Sequence, residues 1–413
     1  MILISRVPWQ KTAAIPNQLS RLSLSPRYNS QVSTTPPIAA HERLLSLDVF
    51  RGFTILLMIV VNDGNGPSFA QLDHAVWNGW TLTDLVFPWF LFIAGVSIPF
   101  AFASRLSPAQ AADSRLALLP HILRRAAIIF ALGLLINGFP LYHLSTLRFV
   151  GVLPRIAFCY LAASLLYLWT GTRTRWAILA ALLIGYWILM RFVPVPGFGI
   201  PTVNIPLLDQ DRNLAAWLDR KLMMGHLFDH TRDPEGILSS FPALANTLFG
   251  IAAGQWICTL RHEPSRLLRR LTYIGLACFL AGELWALVFP INKKLWTSSF
   301  VLLTTGLALV ALAACFYLVD VKQLRGRWTL IPIVFGTNCI FAYTLSEFAA
   351  IASVKCKFHL DGQLVTYKDA INSFTFDNIP FPHWASLGYA LFFTAFCWTV
   401  TWFLYRRRIF LKI

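Results

Sequence analysis

Apolar runs of about 20 residues recur along almost the whole chain after Arg43, each long enough to cross the hydrocarbon core of a bilayer. Backbone groups in lipid must find partners within their own segment, so these runs have to be helices. The chain is only 13% charged and 56% hydrophobic, too little charge to cover a soluble surface of 413 residues. The expected fold is therefore an all-α polytopic membrane protein. Its spans are expected at 45–63, 84–104, 121–139, 150–169, 176–194, 238–260, 270–289, 297–319, 328–352 and 384–405, ten helices in all.

The formal charge of +16 is read as topology before it is read as a partner. Lys and Arg crowd the N-terminus, the stretch Arg105 to Arg125, Arg173 and Arg175, Arg261 to Arg270, Lys322 to Arg327, and Arg406 to Arg408. The alternate loops 64–83 and 140–149 hold only Arg148. By the positive-inside rule both termini are cytoplasmic and the loop carrying His74 faces a periplasm or lumen. Nucleic acid is a poor partner for charge distributed in this way.

Residues 1–43 are read as a disordered or mis-called N-terminal extension, with a composition close to that of a transit peptide; residues 44–413 form the membrane domain. The seven cysteines show no paired spacing, so neither a disulfide framework nor a metal site is expected. P-loop, GxSxG, HExxH and GxGxxG signatures are missing from the sequence, which disfavours hydrolase and nucleotide-dependent readings.

The chemistry concentrates where the first long run gives way to the second. Asn62 ends the first helix, His74 follows in the loop, and Asp84 opens the next helix. Ionisable and amide groups at the mouth of a transmembrane pair are costly to desolvate and mark a site. A histidine there changes protonation near neutral pH, which suits proton transfer. Asp84 also has a plain reading as a helix-start residue. Arg155 lies inside a predicted span and needs a carboxylate or an anionic ligand, with Asp84, Asp233 and Glu235 as candidates.

Asp233 and Glu235 precede the sixth span and suit a cationic amino sugar as well as a helix start. Lys293 and Lys294, in Asn292-Lys293-Lys294-Leu295-Trp296, oppose the charge bias of an outward loop. Glu283, Asn338 and Glu347 describe a polar path between the two faces. The spacing of Asp48 and Arg51 makes an intrahelical pair.

Several blocks resemble the heparan-α-glucosaminide N-acetyltransferase family. They are Leu47-Asp48-Val49-Phe50-Arg51-Gly52, His74-Ala75-Val76-Trp77-Asn78-Gly79, Asp84-Leu85-Val86-Phe87-Pro88-Trp89-Phe90, Asp233-Pro234-Glu235-Gly236-Ile237-Leu238, Asn292-Lys293-Lys294-Leu295-Trp296 and the last nine residues from Tyr405. The resemblance runs from about residue 44 to the C-terminus. Val76 and Ser346 depart from the family's animal members, which carry Ser and His there.

The resemblance implies a transmembrane acyltransferase that takes an acetyl group from cytosolic acetyl-CoA, as co-substrate, to an amine of an amino sugar or glycan on the other side. It makes His74 the active histidine and Asn62 the nearby asparagine. Asp84 is then expected to orient the imidazole. Arg155, Asp233, Glu235, Asn292, Lys293, Lys294, Trp296, Asn338 and Glu347 are expected around the acceptor. Arg124, Arg125, Arg261, Arg269 and Arg270 are expected to hold the CoA phosphates. The short form resembles bacterial relatives, so the expected location is a bacterial inner membrane, with His74 facing the periplasm. A homodimer is compatible with the family, although no motif marks an interface. The rival reading is a permease for amino sugars or small muropeptides, against which the lack of any visible repeat counts.

Overall fold

The computed structural model describes residues 3–4, 44–103, 111–360, 362–376 and 378–412. The expectation for residues 1–43 therefore lies, Leu3–Ile4 apart, outside the described residues. Every predicted span is helical. The helices are α1 (Leu45–Asn62), α2 (Val86–Ala103, entered by a 3-10 turn at Leu82–Leu85), α3 (Ala111–Gly138), α4 (Val152–Trp169) and α5 (Thr172–Phe192). Then follow α6 (Leu214–Met223), α7 (Ser240–Leu260), α8 (Pro264–Ala286), α9 (Ser298–Cys315, closed by a π-turn over Phe316–Val321) and α10 (Arg327–Thr337). The last are α11 (Cys339–Lys355), α12 (Tyr367–Thr375) and α13 (Pro382–Arg406).

Among the described residues, eight helices are long and apolar enough to cross a membrane, and α10 with α11 makes a ninth if that bent pair is one span. The chain is an all-α polytopic membrane protein. Three details differ from the sequence reading. The run at 270–289 lies in α8, which starts earlier, at Pro264, and with Arg266, Arg269, Arg270 and Glu283 is not among the eight. The run at 328–352 is broken by 80° at Asn338. α3 also starts at Ala111 rather than 121, so Arg124 and Arg125 sit midway along it.

Without a hydrophobic drive between helices in lipid, close packing relies on small residues that let backbones meet. α2 and α7 meet in this way: a Cβ on Gly95 would stand 2.0 Å from the Thr247 carbonyl oxygen, and one on Gly250 2.1 Å from that of Phe92. α1 and α10 do the same, with Gly336 against the Asp48 carbonyl. Near that contact, Arg51 Nη1 lies 3.3 Å from Asp48 Oδ1, the expected intrahelical pair, and its Nη2 donates to Ser97 Oγ at 3.0 Å.

Successive crossings bring the connections 63–81, 139–151, 193–239, 287–297 and 356–381 to one end of the bundle. Hydrogen bonds tie them there: Trp77 Nε1 to Leu208 O at 2.8 Å, Gly79 N to Ile291 O at 2.8 Å, and Lys368 Nζ to Gly64 O at 2.8 Å. Lys368 comes from α12, which follows a hairpin of β1 (Lys357–Leu360) and β2 (Gln363–Thr366).

Asn338 closes the other end. Its Nδ2 donates to Ile409 O at 3.1 Å and its Oδ1 accepts from Leu411 N at 2.9 Å. The sequence reading put Asn338 inside a helix on a polar path near the acceptor. It stands instead at the helix break, two residues after Gly336, and holds the C-terminal strand.

Candidate active site

Asp84 is placed by a capping box. The Thr81 side chain and the Asp84 carboxylate satisfy each other's backbone amides, as orphan N–H groups at a helix start require. Asp84 Oδ2 accepts from Thr81 N at 3.0 Å and Ala75 N at 3.2 Å, so the same carboxylate pins the His74 loop. Oδ1 is left for His74 Nδ1 at 2.8 Å. The Asp84 side chain is 1% exposed and that of His74 45%.

A third residue arrives from the loop after α8. Lys293 Nζ stands 3.0 Å from His74 Nδ1, 3.4 Å from Nε2 and 3.4 Å from Asp84 Oδ1. The two ring nitrogens flank a single carbon, so one atom this near to both lies over the ring face, in line with neither lone pair. Asp84 therefore takes Nδ1–H, which leaves the Nε2 lone pair free of that carboxylate. The partner of one nitrogen fixes the role of the other. Burial pulls the Lys293 ammonium below its ordinary range, against the opposing charges of Asp84 and Glu235.

The loop that presents Lys293 is rigid by construction. Asn292 is fully buried; its Oδ1 accepts from Leu295 N at 2.9 Å and its Nδ2 donates to Asn78 Oδ1 at 3.1 Å. Trp296, 1% exposed, donates to Asn246 Oδ1 at 2.9 Å. Asn292 and Trp296 thus fix the backbone that carries Lys293. Lys294 turns the other way, its Nζ 5.9 Å from the Trp77 ring.

Among the described residues, Arg155 pairs with no carboxylate. Its Nη2 donates to Pro234 O and Gly236 O, both at 3.2 Å, and to Ser239 Oγ at 2.5 Å, while its guanidinium lies 4.9 Å from the Trp296 ring. Nε and Nη1 are buried without a hydrogen-bond partner. Asp233 and Glu235 turn to Arg148 instead. Arg148 Nε donates to Asp233 Oδ2 at 2.7 Å and Nη2 to both carboxylates. Burial alone would pull Arg148 down, but its bonds to Asp233 and Glu235 outweigh that and hold it above its ordinary range. The two acids therefore clamp the long 193–239 connection onto 139–151.

Asn62 ends α1 with its side chain exposed, and among the described residues no hydrogen bond joins it to His74, Asp84 or Lys293. Glu347 belongs to a second cluster on the same face. Asp63, 8% exposed, has Glu347 and Lys368 as charged neighbours. Burial, reinforced by Glu347 and opposed by Lys368, pushes its carboxyl up to about 8. The sequence reading missed Asp63 and Lys368; their only signal was an acid directly behind Asn62.

Between 3.8 and about 8 the unfolded chain leaves Asp63 ionised while the folded one keeps it protonated, so stability falls as pH rises through that window and levels off above it. Asp63→Asn is expected to remove this slope. Thermal melts in detergent at about pH 5 and about pH 9 should then differ less for the variant than for the parent. Equal differences would mean that Asp63 is ionised in the folded protein.

The five predicted CoA-binding arginines do not form one group. Arg124, Arg269 and Arg270 are exposed, and Arg261 is half-buried. The Arg125 guanidinium lies 4.7 Å from the Tyr160 ring, with Nε buried and unpartnered, and Arg270 lies 4.6 Å from the Trp256 ring. Arg261, Arg269 and Arg270 sit where α7 meets α8, at the end opposite His74.

Fold and site together define a polytopic membrane protein with a histidine–carboxylate–lysine centre at one end of its helix bundle. The profile of the catalytic region of heparan-alpha-glucosaminide N-acetyltransferase matches residues 43–283. The human heparan-alpha-glucosaminide N-acetyltransferase is 31% identical over 374 residues, covering 77% of this chain and 54% of the human protein. The mouse protein of the same name is 30% identical over 361 residues, covering 74% and 53%. The chain belongs to the heparan-α-glucosaminide N-acetyltransferase family, and it spans about half the length of the curated relatives it matches.

Proposed function

We propose that the protein transfers an acetyl group from acetyl-CoA to the amine of an amino sugar, with His74 as general base. One observation carries this reading: the buried Asp84 carboxylate occupies Nδ1 of the half-exposed His74 ring and leaves Nε2 to act as the base, in a chain of a family whose curated members are named N-acetyltransferases. The sugar amine attacks the thioester carbonyl carbon, the C–N bond forms, and the C–S bond breaks. Nε2 takes the proton shed by the amine and returns it to the departing thiolate, the two halves of general acid–base work. Asp84 holds the ring and offsets the charge on the imidazolium, as a buried carboxylate does in a hydrolase triad.

The arginine-rich end is the cytosolic side by charge bias, which puts His74 on the periplasmic or lumenal side. Arg261, Arg269 and Arg270 at that end suit the phosphates of the donor. A bacterial inner membrane is the proposed location, with the lipid bilayer and a glycan acceptor as partners.

The break at Asn338 favours a second reading, since discontinuous helices mark the substrate sites of many permeases. Asn338, however, is occupied by Ile409 and Leu411, and the break lies at the end opposite His74. The test is free-CoA release by the detergent-purified protein given acetyl-CoA and a panel of glucosamine derivatives. Acceptor-dependent release is the expected result. No release with any sugar, alongside uptake of labelled sugar into proteoliposomes, would transfer the assignment to the permease.

A further inference from the structure

Acetyl transfer at His74 leaves one amine unaccounted for. Lys293 Nζ is 3.4 Å from Nε2 and 3.0 Å from Nδ1, within contact distance of the ring. The side chain is 20% exposed and held by a loop pinned by the Asn292 and Thr297 side chains. Nζ lies over the face of the imidazole, beside the atom at which the acetyl-transfer reading puts the thioester. Burial also favours the free amine at this lysine over the ammonium.

We propose that Lys293 is a self-acetylation site, modified by the thioester when no sugar acceptor is present. The inference rests on the acetyl-transfer reading above. Nζ bonds to the thioester carbonyl carbon, the C–S bond breaks, and the proton from the amine passes through His74 Nε2 to the leaving thiolate. The product is an amide at Lys293 and free CoA. Modification removes the cation beside Asp84 and fills the space over the ring, so the protein brakes itself when donor is abundant and acceptor scarce.

The test uses the full-length protein in detergent, isotope-labelled acetyl-CoA and no sugar, followed by hydroxylamine treatment, digestion and mass spectrometry. Hydroxylamine strips an acyl-imidazole but leaves an acetyl-lysine amide. Lys294 is the internal comparator, adjacent in sequence but turned to Trp77. A group held beside its reaction partner reacts as if highly concentrated, so label at Lys293 is expected to exceed that at Lys294 by more than about tenfold. It should fall to the Lys294 level when amino sugar is added.

His74→Ala should abolish the preference. Acceptor protection in the parent protein serves as an independent arm, since it needs no variant. Label spread evenly over exposed lysines, or unchanged by acceptor, overturns the proposal. Acceptor-dependent CoA release without label at Lys293 overturns it too, while the acetyltransferase reading stands. Neither release nor label overturns both.

Discussion

His74→Ala is expected to lower acceptor-dependent CoA release by about 10²- to 10⁴-fold, the range that a positioned general base supplies. Folding should survive. The His74 side chain is 45% exposed, and the Asp84 carboxylate keeps the Thr81 and Ala75 amides as donors and Lys293 Nζ at 3.4 Å. Asp84→Asn tests the other half of the arrangement. An amide no longer demands a proton on Nδ1 and does not stabilise an imidazolium, so the Nε2 lone pair is lost in part of the population. The rate should fall by a similar order, with the pH dependence of the residual activity changed. Initial-rate measurements on folded, monodisperse protein decide the matter. Near-normal turnover in His74→Ala would remove the histidine from the mechanism.

Arg148→Ala should give the largest stability effect. It strips the cation from Asp233, whose side chain is wholly buried, and from Glu235, which is 14% exposed. Removing one partner of a buried ion pair costs about 3–5 kcal/mol, because the remaining charge has neither water nor counterion. The loss should appear as a lower Tm and as faster proteolysis within 193–239. Activity should drop with it, since Trp77, three residues from His74, is fastened to Leu208 in the same connection. Adding Asp233→Asn and Glu235→Gln to Arg148→Ala should recover part of the Tm, as no ion is then left unpaired. A triple variant no more stable than Arg148→Ala alone would mean that the residues act through packing and not through charge.

The elements of this fold were legible because the bilayer imposes one period and one length, and all ten apolar runs became helices. Two boundaries were not. Asn338 looks like any polar residue in an apolar stretch, and only its bonds to Ile409 and Leu411 show why the helix stops there. The site was half legible. His74 and Asp84 lie ten residues apart, within one loop and one helix start, so their meeting follows from local structure.

Lys293 was visible only as a lysine on the wrong side of a charge bias. Its contact with His74 spans 219 residues, and no local signal encodes it. The partner of Arg155 went astray for a similar reason. Charge counting offers Asp233 and Glu235, while backbone geometry turns both to Arg148 and gives Arg155 three carbonyl and hydroxyl oxygens. Asp63 reads as an ordinary loop acid until its burial and the lysine from α12 are known.

The strand at Leu411 has a practical consequence. Anything fused after Lys412 hangs from backbone that supplies the two bonds holding Asn338, and so loads the break between α10 and α11 directly. A C-terminal affinity tag is therefore a mechanical perturbation of the bundle, and a purification handle belongs elsewhere on the chain.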